Sequence, residues 1–184
     1  MPLEFHIETH RLILREFRDG DEQGIFRLDS NPIVHTYLGN RPISTLEQAK
    51  AVVGLVKQQY VELGIGRWAV IEKSTQEFIG WSGIKHVIQP EHGTETYYDI
   101  GYRFIPEAWG KGYATESALE GLQYGFETLN VPLIIGTAHV ENKASRRVLE
   151  KIGLHYKKTM FSPITDRDID WLEMTTDEWV GKNR

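Results

Sequence analysis

The run Phe104-Ile105-Pro106-Glu107-Ala108-Trp109-Gly110-Lys111-Gly112-Tyr113-Ala114-Thr115-Glu116 restricts what this chain can fold into more than any other segment. Before it, Tyr98, Ile100, Tyr102 and Phe104 alternate with Asp99, Gly101 and Arg103, which is the period of a strand. After it, Ala118, Leu119, Leu122, Phe126 and Leu129 share one helical face. A strand therefore passes into a helix through two glycines, and the helix's unpaired first amides lie near the strand's C-terminal end. Those amides and the positive end of the helix dipole can cradle a phosphate without a large basic surface, and glycine permits close approach. The alternative is that Gly110 and Gly112 only make a tight turn. A dinucleotide fingerprint would need Gly or Ala where Thr115 stands, and a Walker A loop would need Ser or Thr after Lys111 and Gly at position 105; neither fits.

The rest of the chain reads as alternating elements. A strand is expected at 11–17, then a short helix from about Asp19, with Asp19 and Glu22 spaced as a cap pair. Leu46, Ala49, Val53, Val56, Tyr60 and Leu63 step at helical spacing behind a Thr45–Gln48 capping box, and Gly64 and Gly66 close that helix. Strands are expected at 68–73, 78–87 and 97–105, with the glycine-opened helix next and a fifth strand at 133–140. A last helix runs from an Asn142 cap to Gly153, and strands at 155–161 and 169–176 finish the domain. This is an α/β fold, a mixed sheet with an antiparallel meander and one β-α-β passage. Residues 1–184 read as a single domain, large enough to bury roughly 70% of the surface of the unfolded chain without a disulfide or structural metal.

Composition removes several functions. With no cysteine there is no disulfide framework, zinc ribbon, iron–sulfur cluster or cysteine nucleophile, and a cytoplasmic location is expected. A net charge of −5 lacks the basic footprint of nucleic-acid binding. Apolar runs such as 131–135 fall far short of the ~20 residues of a membrane helix. Residues 1–6 show neither the basic start nor the apolar run of a signal peptide. His6 and His10 have no helical pattern or acidic partner, so no metal site is expected. Tyr97, Tyr98 and Tyr102 read as sheet packing.

A second informative segment lies one strand beyond the glycine run: Asn142-Lys143-Ala144-Ser145-Arg146-Arg147-Val148-Leu149-Glu150-Lys151-Ile152-Gly153-Leu154. Together the two segments resemble the GNAT N-acetyltransferase superfamily, in its RimJ/RimL-like branch. Trp109-Gly110-Lys111-Gly112-Tyr113-Ala114 lies in the register of the superfamily's acetyl-CoA loop, Gln/Arg-x-x-Gly-x-Gly/Ala, with Trp in the first place. Asn142, Ser145 and Leu149 stand where many members carry Asn-x-x-Ala-x-x-x-Tyr, so the tyrosine acid is missing and Ser145 is the branch's substitute. The resemblance extends over residues 11–179.

It implies a mostly antiparallel sheet splayed between its fourth and fifth strands (97–105 and 133–140), with helices on both faces. Acetyl-CoA would enter the gap as co-substrate, with no metal. The backbone of Phe104 and Ile105 would bind pantetheine, amides from Trp109, Gly110, Lys111, Gly112, Tyr113, Ala114 and Thr115 would bind pyrophosphate, and Asn142 and Ser145 would contact the arm. Arg103, Lys111, Lys143, Arg146, Arg147 and Lys151 would form a local basic rim, or simply a solvated helix face. Ser145 would serve as general acid or relay; the plainer reading is a serine that helps cap its helix. The glutamate base associated with RimL-like enzymes is absent from 161–164, which leaves Asp99, His139 and Glu141 as base candidates. Acceptor recognition would fall to 30–44 and 161–170, with Tyr37, Trp81 and Trp171 as candidate contacts beside Asp166, Asp168 and Asp170.

The implied reaction is direct acetyl transfer to a primary amine, either a peptide α-amine or a small molecule, and a homodimer stays open. The alternative is an acyl-CoA-binding module without turnover. The need for a base depends on the amine. At pH 7 an alkylamine of pKa ~10.4 is neutral only to about 0.04%, an α-amine of pKa ~7.8 to about 14%.

Overall fold

The computed structural model describes residues 5–88 and 96–182; residues 1–4, part of the stretch read for a leader, lie outside. One sheet contains β1 (His6–Glu8), β2 (Leu12–Arg15), β3 (Trp68–Glu72), β4 (Phe78–Val87), β5 (Tyr97–Phe104), β6 (Leu133–His139), β7 (His155–Ser162) and β8 (Arg167–Thr175). Its order is β1-β2-β3-β4-β5-β6-β8-β7, antiparallel throughout except where β5 meets β6. Helices α1 (Glu22–Asp29), α2 (Leu46–Leu63), α3 (Tyr113–Gln123), α4 (Lys143–Ile152) and α5 (Thr176–Lys182) complete the fold, with a short π-type turn extending α3 over Tyr124–Thr128. The fold is the expected mixed α/β sheet, with β1 and α5 added to it.

Strand alternation divides the sheet into two faces. Ile100 faces α3, where a Cβ on Gly121 would meet its Cδ1 at 2.6 Å, and a Cβ on Gly136 would meet Leu149 of α4 at 2.6 Å. These glycines let both helices pack close to β5 and β6. Gly101, the next residue, lies under the Arg67 guanidinium on the opposite face. Arg103, of the same parity as Gly101, reaches Asp29 of α1 there. Leu12, Leu14, Ile84, Ile100, Leu122, Ile134, Leu149 and Ile152 are fully buried in the main core.

Helix α2 forms as its sequence predicts. Thr45 accepts the Gln48 amide, the Gln48 side chain returns to the cap, and Gly64 closes the helix in the left-handed conformation. Thr45 is exposed, so Thr45→Ala isolates the cap, and a loss of about 1 kcal/mol in denaturant unfolding is expected. The Asp19–Glu22 cap pair is not formed. Asp21 is the α1 N-cap, Asp19 binds Lys57 instead, and Glu22 accepts from Gly20 N.

Candidate functional site

The β5–β6 ladder has two residue pairs, Tyr98↔Ile134 and Asp99↔Ile135, and beyond them the strands separate. Register shows what the separation leaves open. Ile105 N donates to Ile79 O at 3.0 Å, so odd-numbered residues of β5 turn their peptide groups toward β4. Ile100, Tyr102 and Phe104 therefore turn theirs toward the opening. On the other wall, Val140 N donates to Asp168 O, which gives the even residues of β6 to β8 and turns the peptide groups of Thr137 and His139 toward the same opening. The result is a wedge lined by backbone donors and acceptors.

The glycine junction lies at the wedge's mouth. Gly110 and Gly112 have φ of 73° and 84°, in the left-handed region that favours glycine. Gly112 is the N-cap of α3 and has no side chain to cap it; the first intrahelical bond is Glu116 N to Gly112 O at 3.0 Å. The amides of Tyr113, Ala114 and Thr115 precede that bond, beside the positive dipole end. Ala114 and Thr115 are half-buried and Lys111 is exposed. Trp109, 49% exposed, donates its indole N–H to Phe104 O at 2.8 Å. Ile105 O accepts from Ala108 N, and its own amide goes to β4. Of the two residues expected to offer backbone bonds to a ligand, Phe104 thus faces the wedge with its carbonyl bonded to Trp109, and Ile105 is turned away.

Below the wedge, on the α4 side, Asn142 caps α4 by accepting Ser145 N at 3.0 Å. The Tyr102 hydroxyl donates to Ser145 O at 2.8 Å and lies 3.2 Å from Ser145 Oγ. Its one proton is used on the carbonyl, so Ser145 Oγ–H points at the Tyr102 oxygen. Burial pushes the Tyr102 pKa up, and it stays a neutral hydroxyl. Sequence reasoning assigned Tyr102 to packing. Its parity with Ile100, which faces α3, was the signal that it reaches the helix side.

The three base candidates are not equivalent. Asp99 is ion-paired to Arg67, which also donates to Asp99 O and Gly83 O, so its carboxylate is held by a cation. His139 is 7% exposed and accepts Glu141 N at Nδ1 at 3.1 Å. Glu141 sits exposed in the turn after β6.

On the face opposite α4, the Tyr37 ring packs 5.2 Å from that of His139. Trp81 lies between two guanidinium groups, Arg67 at 5.4 Å and Arg103 at 5.1 Å from its ring centroid. Trp171 corrects its expected role as an acceptor contact. It is 2% exposed, packed with Val87, Tyr97 and Ile135, and its indole is bonded to Glu173. A cavity of about 150 Å³ opens beside the seam, lined by Tyr97 and Asp99 of β5, Thr137 of β6, and Ser162, Ile164 and Thr165. Asp29 holds Arg103, and buried His35 places Nε2 3.9 Å from Asp29 without a hydrogen-bond partner. Burial, reinforced by Arg103, lowers the His35 pKa.

The basic rim is thinner than expected: Arg103 is on the far face, Arg146 binds Glu150 and Asp170, and Lys143 caps Val140 O. Among the described residues no group of three or more His, Asp or Glu is placed to hold a metal, and no helix is long and apolar enough to cross a membrane.

The acetyltransferase (GNAT) domain family matches residues 11–155. The uncharacterized N-acetyltransferase YoaA of Bacillus subtilis (strain 168) is 35% identical over 147 residues, 80% of this chain and 81% of that protein. A crystal structure of a GNAT-family acetyltransferase from Bacillus anthracis superposes with a TM-score of 0.77 at 25% identity, covering 94% of this chain and 99% of that one. The spermidine N-acetyltransferase of Vibrio cholerae, solved with CoA and spermine, superposes with a TM-score of 0.73 at 19% identity over 94% of this chain and 99% of its own. At that identity the likeness speaks for the fold alone.

Proposed function

Because the chain belongs to the GNAT acetyltransferases, we propose that it moves an acetyl group from acetyl-CoA directly to a primary amine while both are bound. The observation that carries this reading is the Tyr102–Ser145 hydroxyl pair beneath a seam whose backbone groups face inward. Acetyl-CoA supplies the activated acyl carbon and a thiolate leaving group. The open peptide groups of Ile100, Tyr102 and Thr137 hold the pantetheine arm much as a neighbouring strand would. The first amides of α3 hold the pyrophosphate. Ser145 gives its hydroxyl proton to the departing sulfur and takes one back from water, into which the amine's surplus proton is released. Tyr102, held neutral by burial, keeps its own proton on Ser145 O and positions the serine.

The acceptor we favour is an α-amine, at the start of a peptide or on a small molecule, as in a RimJ/RimL-like reading. Asp99 is held by Arg67 and His139 Nδ1 already accepts the Glu141 amide, so neither is set up to offset the deprotonation cost of about 4.6 kcal/mol at pH 7 for an alkylamine. For an α-amine that cost is only about 1.1 kcal/mol. A cytoplasmic site of action suits a chain without cysteine.

Thiol release from acetyl-CoA, measured with free peptides, Nα-blocked lysine peptides and polyamines, tests this reading. Free peptides should support turnover, with kcat/KM rising with pH through the acceptor's own pKa near ~7.8. Equal rates with the blocked lysine peptides would remove the α-amine assignment. Tight CoA binding with no thiol release from any acceptor would leave the binding module.

A further inference from the structure

We propose that Arg11 is the positioning residue that sets the Gly110–Lys111–Gly112 turn in its anion-binding shape; this rests on the assignment of that turn to the pyrophosphate. Arg11 comes from the short connection between β1 and β2, far from the turn in sequence, and grips it at two points. Its Nη1 donates to Lys111 O at 2.8 Å. Its Nε donates to Glu116 Oε2 at 2.8 Å, and Nη2 lies 2.7 Å from the same oxygen. The other Glu116 oxygen accepts Arg11 N at 2.9 Å and Thr9 Oγ1 at 2.6 Å. Burial works against the charge on Glu116, yet the hydrogen bonds from Thr9 and Arg11 prevail and its pKa is lowered, so the anchor in the first turn of α3 stays ionised. The Arg11 guanidinium also sits 4.5 Å from the centre of the Tyr113 ring.

Peptide geometry gives this grip its effect. In a trans peptide the carbonyl of Lys111 and the amide of Gly112 point in opposite directions. Holding the carbonyl outward on Arg11 therefore aims the Gly112 N–H into the turn, alongside the first amides of α3. With glycine on both sides of Lys111, each at positive φ, the peptide plane has little steric reason of its own to keep that orientation. A flip would present a carbonyl oxygen to a phosphate in place of a donor. Arg11 selects the useful orientation without needing to touch the ligand.

The test compares acetyl-CoA with S-acetylpantetheine, which has the same thioester and arm but no phosphates, in Arg11→Lys and wild-type enzyme. We expect KM for acetyl-CoA to rise about 10-fold, with kcat and the use of S-acetylpantetheine changed by less than about 2-fold. An equal loss with both thioesters would make Arg11 a general structural support and overturn the proposal, as would an unchanged KM for acetyl-CoA. Should Arg11→Lys not fold, Glu116→Gln keeps the size of the anchor, loosens the grip and is read on the same two thioesters. Wild-type enzyme that handles both thioesters alike would instead remove the pyrophosphate assignment, and the proposal with it.

Discussion

Tyr102→Phe and Ser145→Ala are each expected to lower kcat by about 10²-fold at saturating acetyl-CoA, with cofactor affinity retained. The size follows from general acid catalysis, which contributes roughly 10²–10⁴-fold when the donor is positioned in the transition state. Geometry adds a sharper expectation. The two hydroxyls are 3.2 Å apart and the Tyr102 hydroxyl is anchored on Ser145 O, so Tyr102 positions Ser145 and the two act as one unit. Members of one unit are not additive: the double variant should be no slower than the more damaged single variant. Losses that multiply would mean two independent roles. An unchanged kcat in Ser145→Ala would take Ser145 out of the chemistry and leave it as a first-turn helix residue.

The largest stability effect is expected at Asp21. Its carboxylate takes both terminal nitrogens of Arg15 at 2.7 and 2.8 Å and the Arg18 amide at 2.9 Å, with Asp21 6% and Arg15 7% exposed. Asp21→Ala leaves a buried guanidinium without its counter-charge, a change that costs about 3–5 kcal/mol. At roughly 2–4 °C per kcal/mol for a chain of this size, Tm should fall by about 6–20 °C. Removing both charges is a different experiment. Arg15→Met/Asp21→Leu should recover part of the loss, because the desolvation penalty disappears along with the attraction. A fall of less than about 1 kcal/mol in Asp21→Ala would show that solvent reaches Arg15.

How legible each part of the molecule was depended on whether its cause is local. Helix α2 announces itself because spacing, capping box and terminal glycine all lie within twenty residues. The strand-to-helix junction reads equally well, since glycine conformation and helix polarity are properties of a short segment. Strand β1 was missed because three residues at a sheet edge show too little alternation to register. Asp99 stood as a base candidate because its neutralising partner, Arg67, comes from a different strand connection, and no pattern along the chain joins them. Trp171 fits the same description: its loop looked like an acceptor rim, but β8 turns the ring into a small core with Tyr97. Tyr102 was obscured for the opposite reason. An aromatic in an alternating strand is ordinarily packing, and only the placement of α4 gives its hydroxyl a chemical neighbour.

The two-pair contact between β5 and β6 also bears on how the chain survives in a cell. A sheet joined there by so little is weakest along that line, and amide hydrogens around Tyr102 and Thr137 should exchange with solvent early in the free protein. A strand-like arm laid into the opening supplies the missing ladder, and anything that binds only the folded state stabilises it in proportion to the logarithm of its concentration. The resistance of this protein to unfolding and proteolysis would then follow the supply of acetyl-CoA, making its lifetime a readout of the same metabolite it consumes.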